Sequence, residues 1–348
     1  MSHPRPAPAF RPGQEIALLS PSTAGPALNP ALHEQARCRL ARAFSSPLVE
    51  YPTTRLQGAP PRQRARDIEA AFANPNVGAI FATLGGFDLD RVIPHLDMGL
   101  LAAHPTRFAG YSDNTHLLNA LWKAGVAGIY GGSTNVHFGA GPSVDECHVT
   151  SLSRALTGAG TITYTDPPWT QDHGLSWDDE RCTSQRGECL KPDPEEWIWD
   201  GSGSVSGLTW GGCLDSLRSI VARGLHPSPD ALAGSVLILE ASEQLADPHD
   251  LAQVLTQLGR EGALERAAGI LIARPPTSTF GWVPAARDRA DMRAYFYAEL
   301  GAAARRFTSC PIVCGLHFGH TRPQQVIPYG GRVSIDMAKR LVCAPGCA

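Results

Sequence analysis

Residues 107–124, RFAGYSDNTHLLNALWKA, set a short apolar run, Arg107-Phe108-Ala109, ahead of a helix-like run over 115–124, with a serine in the turn between them. At a strand-to-helix turn the side chain projects from the sheet edge, and the N–H groups that follow lack intrahelical partners. Ser112 is thereby a candidate nucleophile, with the Asp113 N–H a candidate donor to a developing oxyanion. A plainer role stays open, because Ser and Asp are common helix caps and GYSDN is not the GxSxG elbow.

Outward from this turn, residues 15–132 alternate apolar strands with amphipathic helices. EIALLSPS is strand-like, and Asn29-Pro30 then supplies a cap and first-turn proline for a helix with Leu32, Ala36 and Leu40 on one face. LVEY, AIFATL, RFAGY and AGIYGG are further strand candidates, separated by helical segments around 68–72, 89–96 and 117–121. This is the pattern of a parallel, helix-covered sheet. Ligands of such sheets sit at the carboxyl ends of the strands, where Thr83-Leu84-Gly85-Gly86 and Ser112 both fall.

Over 139–203 the chain turns to Pro, Asp, Ser and Trp with little periodicity. A loop of this length is functional or disordered, and Trp169, Trp177, Trp197 and Trp199 argue against disorder. From about residue 205, strands (GSVLILE, GILIAR, PIVCGL) again mix with helices over 213–223, 248–258 and 285–300. The expected organisation is an N-terminal α/β domain over 1–140, a tryptophan-bearing connecting region over 141–204, and a smaller mixed α/β domain over 205–348.

The 348 residues suffice for two cores. A net charge of -3 gives no reason to expect nucleic-acid or membrane-surface binding. The first residues contain no apolar signal region, and no run of about 18 apolar residues occurs, so a cytoplasmic location is expected. The nine cysteines are odd in number and form no CxxC pair, against a disulfide framework. Cys310 with Cys314, and Cys343 with Cys347, are four apart, but no His/Cys knuckle accompanies them, and no metal is expected. Nucleotide-cofactor motifs are also missing: Gly85-Gly86 follows a strand, but neither GxGxxG nor GxxxxGK[ST] is present in strand-turn-helix context. The pair is either a tight turn or part of an oxyanion hole.

Two later segments supply partners for Ser112. LILEASE carries Glu240 at the end of an apolar run, and GLHFGHTRPQQVIPYG carries His320 in a Gly-bounded turn. Serine, carboxylate and histidine at the ends of separate elements are the components of a hydrolytic triad. Spacing alone does not select them from 33 acidic residues and 12 histidines. Glu243 competes with Glu240, and His317 with His320; Glu240 is preferred because it ends the apolar run directly.

Taken together, LLSPS, TLGGFDLDRVIPHLD, FAGYSDNTHLLNAL, IYGG, GLTWGGCLDSL, LILEASE, ARPPTS and FGHTRPQQVIPYG resemble the LD-carboxypeptidase serine peptidases, most closely their microcin C immunity branch. The resemblance spans residues 15–336. It implies a flavodoxin-like N-terminal domain bearing the nucleophile Ser112, and a C-terminal domain bearing the triad carboxylate Glu240 and the base His320. The active site would lie between them. It also implies an oxyanion hole from Gly85 or Gly86 with Asp113, no cofactor, and a homodimer. Ala241-Ser242-Glu243 departs from the family's more acidic or Gly-containing run, which leaves substrate preference open.

The reaction expected from that resemblance is amide hydrolysis on a small peptide or aminoacyl-nucleotide. One substrate is an aminoacyl-nucleotide such as processed microcin C, with Trp169, Trp177, Trp197 or Trp199 stacking on the base. The alternatives are a murein tetrapeptide cut at its L,D-bond and, in another class, a binding protein that kept the fold without the chemistry.

Overall fold

The computed structural model describes residues 3–187 and 197–345. Five strands open the chain: β1 (Glu15–Leu19), β2 (Leu48–Glu50), β3 (Val77–Ala82), β4 (Arg107–Gly110) and β5 (Gly128–Tyr130). Six follow: β6 (Thr161–Thr163), β7 (Ile198–Asp200), β8 (Ser204–Cys213), β9 (Val236–Glu240), β10 (Gly269–Ala273) and β11 (Ile312–Leu316). Three close it: β12 (Ile327–Tyr329), β13 (Arg332–Asp336) and β14 (Leu341–Pro345).

The first sheet runs β12-β5-β4-β3-β1-β2 and the second β6-β14-β13-β8-β9-β10-β11-β7. Strands β1 to β5 are parallel, in the flavodoxin-like order 2-1-3-4-5. Their near-continuous apolar runs have the composition of a sheet buried on both faces. The ends of β1, β3 and β4 open on one crevice, which brings the Ser20-Pro21-Ser22 turn, Gly85-Gly86 and Ser112 together. In the second sheet β8, β9, β10 and β11 are parallel, and the flanking strands are antiparallel. The architecture is thus the expected parallel-sheet unit joined to a mixed one.

Two expected segments differ. The stretch 89–96 forms two short 3-10 turns, Leu89–Arg91 and Ile93–His95, with Pro94 inside the second; a proline ring cannot donate to a continuing helix. Within the aperiodic 139–203 stretch lies a helix, Glu146–Thr157, closed by Gly158 at φ 75. Its buried face includes His148 and Ser151 beside Leu152, Ala155 and Leu156, and those polar members masked the helical period.

The two sheets are locked together through residues that cross between them. Strand β12 lies far along the chain yet pairs antiparallel with β5, and the chain then enters β13 of the second sheet. Helix Thr115–Lys123 docks on β8: buried Trp122 donates Nε1 to the Thr209 carbonyl at 3.2 Å, and buried Trp210 donates Nε1 to Asn119 Oδ1 at 3.1 Å. Each indole buries a large apolar area while its single donor is satisfied. Trp210→Phe keeps most of that packing and leaves Asn119 Oδ1 without its donor. We expect a loss of about 1–3 kcal/mol, measured as a lower urea midpoint at unchanged slope.

Candidate active site

Ser112 stands where β4 ends. Tyr111 is still extended, Ser112 turns to φ 62, and a 3-10 turn, Ser112–Asn114, leads into helix Thr115–Lys123. A non-glycine residue in the left-handed region costs about 1–2 kcal/mol, so the surroundings must hold it. Thr115 Oγ1 and Ser216 Oγ donate to the Ser112 carbonyl at 2.6 and 3.3 Å, and Asn114 Nδ2 donates to the Tyr111 and Leu84 carbonyls. The strain aims the hydroxyl away from the sheet toward the second half of the chain.

There it meets His320. Ser112 Oγ lies 3.0 Å from His320 Nε2, and His320 Nδ1 lies 2.6 Å from Glu240 Oε2. The other Glu240 oxygen accepts a hydrogen bond from Tyr130 Oη at 2.5 Å. Glu240 is 1% exposed at the end of β9 of the second sheet, and its partners are Tyr130 at the end of β5 of the first sheet and the His320 turn after β11. Gly319, at φ 85, lets the His320 turn close over it: a Cβ there would fall 2.7 Å from the Glu240 carboxyl carbon. Gln324 braces the same turn, donating Nε2 to the Gly319 carbonyl and accepting from the Gly132 N–H.

Burial of the His320 ring disfavours its charged form, but the field of Glu240, then that of Glu243, and the Glu240 hydrogen bond outweigh it and raise the imidazole to about 9. Burial, followed by the Glu240 charge, drives the Tyr130 phenol well above its ordinary value, so it stays a donor.

The expected oxyanion residues also gather here. A Cβ on Gly85 would fall 2.9 Å from Ser112 Oγ and 3.7 Å from the Asp113 nitrogen, so the backbone can lie this close only without a side chain. Gly86 packs against Ser22 and Thr23. The Asp113 side chain holds the loop in place: Oδ2 accepts from the Asp88 and Leu89 N–H groups and from Ser22 Oγ at 2.6–3.0 Å. Asp113 therefore couples the serine turn to the glycine loop, a role its sequence position did not reveal.

The rivals fall elsewhere. His317 is buried with Nε2 3.3 Å from Asp166 Oδ1, away from Ser112. Glu243 Oε2 approaches His320 Nε2 at 3.3 Å from the solvent side. Among the described residues, Cys213, Glu240 and His320 place possible metal-ligand atoms within 4.8 Å of one another; Glu240 and His320 are already bonded to each other. Cys310 and Cys314 lie before and within β11, so they share no helical face, and Cys347 lies outside the described residues.

A cavity of about 290 Å³ opens over Ser112 and His320. One wall is apolar, from Leu28, Phe87, Leu175, Trp177 and Phe280. Phe87 is 82% and Phe280 52% exposed, so both offer aromatic surface to the cavity. The lining segment 171–175 is pinned by Asp172, which accepts from Arg274, from Thr277 N–H and Oγ1, and from Ser278 Oγ. Of the four tryptophans, Trp177 alone lines this cavity. Trp169 lies under the Arg186 guanidinium and faces a separate surface pocket. Trp197 and Trp199 stack on one another at the edge strand β7, with Trp197 Nε1 bonded to Asp166. Side chains alternate across a strand and its flanks with period two, which put these indoles on the sheet edge together.

The chain matches the LD-carboxypeptidase N-terminal domain over residues 16–131 and the LD-carboxypeptidase C-terminal domain over 206–335. It is 28% identical to a putative carboxypeptidase of Vibrio cholerae, covering 93% of this chain and 92% of the relative. It is 26% identical to the microcin C7 self-immunity protein MccF of Escherichia coli, covering 79% and 76%. A structure of MccF in complex with aspartyl sulfamoyl adenosine superposes with a TM-score of 0.81 at 22% identity, covering 97% of this chain and 98% of that one. No helix among the described residues is long and apolar enough to cross a membrane.

The raised imidazole makes a stability prediction whose sign is fixed. His320 binds its proton more tightly folded, at about 9, than unfolded, at 6.5. Its contribution is fully present below 6.5 and is lost as pH rises through about 9. Urea midpoints of the protein should therefore fall more steeply between those pH values than those of His320→Gln.

Proposed function

The chain belongs to the LD-carboxypeptidase family, and from that premise we propose that it is a serine hydrolase of the peptidase and amidase type, using Ser112, His320 and Glu240. The observation that supports this most directly is the continuous hydrogen-bond chain from Ser112 Oγ through the His320 ring to the buried Glu240. Ser112 Oγ attacks the scissile carbonyl carbon while its proton passes to His320 Nε2. The tetrahedral oxyanion is held by N–H groups of Gly85 or Gly86 and of Asp113. Collapse breaks the C–N bond, and His320 returns the proton to the leaving nitrogen. Water then repeats the sequence and releases the acyl group as a carboxylic acid. Glu240 fixes the imidazole orientation and stabilises the imidazolium, while Tyr130 holds Glu240.

We assign the substrate as the amide of an aminoacyl-nucleotide such as processed microcin C, cleaved in self-immunity or detoxification. The apolar wall of Phe87, Trp177 and Phe280 supports it, since exposed aromatic faces beside a catalytic serine suit a nucleobase. So does the relative that binds aspartyl sulfamoyl adenosine. Trp169, Trp197 and Trp199 lie away from this cavity, at a second pocket and at the sheet edge. The second reading, hydrolysis of the L,D-bond of a murein tetrapeptide, draws support from the family's LD-carboxypeptidase description. In either reading residues 1–140 supply the nucleophile, 141–204 form the connecting region that carries Trp177, and 205–348 supply the carboxylate and base, within a cytoplasmic homodimer.

Ser112→Ala should lower kcat on an aminoacyl sulfamoyl adenosine by at least about 1,000-fold with little change in Tm; retention of a tenth of the rate would exclude Ser112 as nucleophile. Glu240→Gln and His320→Ala should each cost nearly as much, because the three act as a unit.

Phe87→Ala and Trp177→Ala test the choice of substrate. Each should raise KM for the nucleotide conjugate by about 10- to 100-fold while sparing a murein tetrapeptide. Parallel loss on both substrates would favour the cell-wall reading.

A further inference from the structure

We propose that Glu243 is a specificity residue that pairs with a free α-ammonium on the residue whose carbonyl is cleaved. The cleft then takes aminoacyl amides in preference to acyl amides lacking that charge. This rests on the assignment of Ser112 and His320 given above.

Glu243 lies in the loop between β9 and helix Pro248–Arg260, lines the cavity, and is 49% exposed. Its Oε2 is 3.3 Å from the same His320 nitrogen that lies 3.0 Å from Ser112 Oγ. The carboxylate is therefore no farther from the attacking oxygen than those two contacts laid end to end. A carbonyl carbon in attack position sits about 3–3.5 Å from that oxygen, and the α-nitrogen of an aminoacyl group is only two bonds from that carbon. An α-ammonium so bound falls within reach of Glu243.

The other charged groups around the cavity are committed. Asp172 is buried against Arg274, Thr277 and Ser278, and Arg186 and Arg322 both pair with Asp145. Among the described residues no arginine or lysine pairs with Glu243, whose ion contact is with His320. A carboxylate left facing a substrate cavity attracts a cation and repels an anion. An internal residue of a peptide has an acylated, uncharged α-nitrogen, so this contact separates aminoacyl conjugates from peptide bonds inside a chain.

The same pairing assists the base. Groups facing His320 are Glu240 from β9, Glu243 from the loop, Cys213 at the end of β8, Asp215 in the first turn of helix Leu214–Ala222, Tyr111 after β4, and His137 beside Tyr111. Glu240 and Glu243 dominate the field that retains the proton on the ring. A substrate cation that neutralises Glu243 weakens that hold.

The test uses alanyl and propionyl sulfamoyl adenosine, which differ only by the α-ammonium. At pH 7 we expect alanyl to exceed propionyl in kcat/KM by about 10-fold or more, a gap of about 1.4 kcal/mol. Glu243→Gln should narrow the ratio to within about threefold whatever its overall rate, and Glu243→Asp should restore part of it. Calorimetry on Ser112→Ala should give the same order of affinities, with the gap closing above about pH 8 as the α-amine loses its proton. Turnover without a gap, or the same gap in Glu243→Gln, overturns the proposal and leaves the hydrolase reading intact. A binding gap with turnover of neither compound overturns the hydrolase reading alone. Neither binding nor turnover of either compound overturns the proposal as well.

Discussion

A carboxylate taken out of water is costly unless its oxygens find donors, and each oxygen of Glu240 finds one only because the two halves of the chain close on it. One oxygen takes the Tyr130 hydroxyl from the first sheet, and the other takes His320 from the turn after β11. The hydrogen-bond chain from Ser112 through His320 to Glu240 and the join between the sheets are therefore one structure. Separating the halves would strand a buried charge, and losing the charge would release the imidazole from its orientation.

The serine side is held by a different device. The left-handed Ser112 is an unfavourable conformation that persists because its flanking carbonyls are bonded on both sides, by Asn114 within the turn and by Ser216 from the second half. Asp113 then carries this rigidity into the glycine loop through two backbone N–H groups. The Ser112 turn and the glycine loop are thereby held by one set of hydrogen bonds, the kind of fixed donor array that needs no reorganisation.

The cavity walls follow another logic. Exposed Phe87 and Phe280 line the cavity with Trp177, and the lining segment that holds Asp172 is anchored through that buried aspartate by donors from three residues. An apolar wall binds planar groups with little discrimination. Direction and selectivity must come from the few charged groups at the reacting end, where Glu243 stands beside the imidazole.

The sequence by itself determined what depends on local periodicity: the alternating strands and helices of a parallel, helix-covered sheet and the strand-to-helix turn at Ser112; motif order added the family and, with it, the flavodoxin-like expectation. These are properties of neighbouring residues, fixed by φ/ψ preferences and side-chain alternation along one element. The choice of His320 over His317, or Glu240 over Glu243, is not of that kind. His317 and His320 are three residues apart in one turn, and only the Gly319 conformation and the Gln324 brace decide which faces Ser112. The tryptophans illustrate the same limit: their number marks an ordered segment, but three of the four point to the sheet edge or a second pocket while Phe87 and Phe280 line the cleft. A side chain's neighbours across hundreds of residues are set by which strands pair and how the two sheets dock, and that information enters only with the tertiary structure.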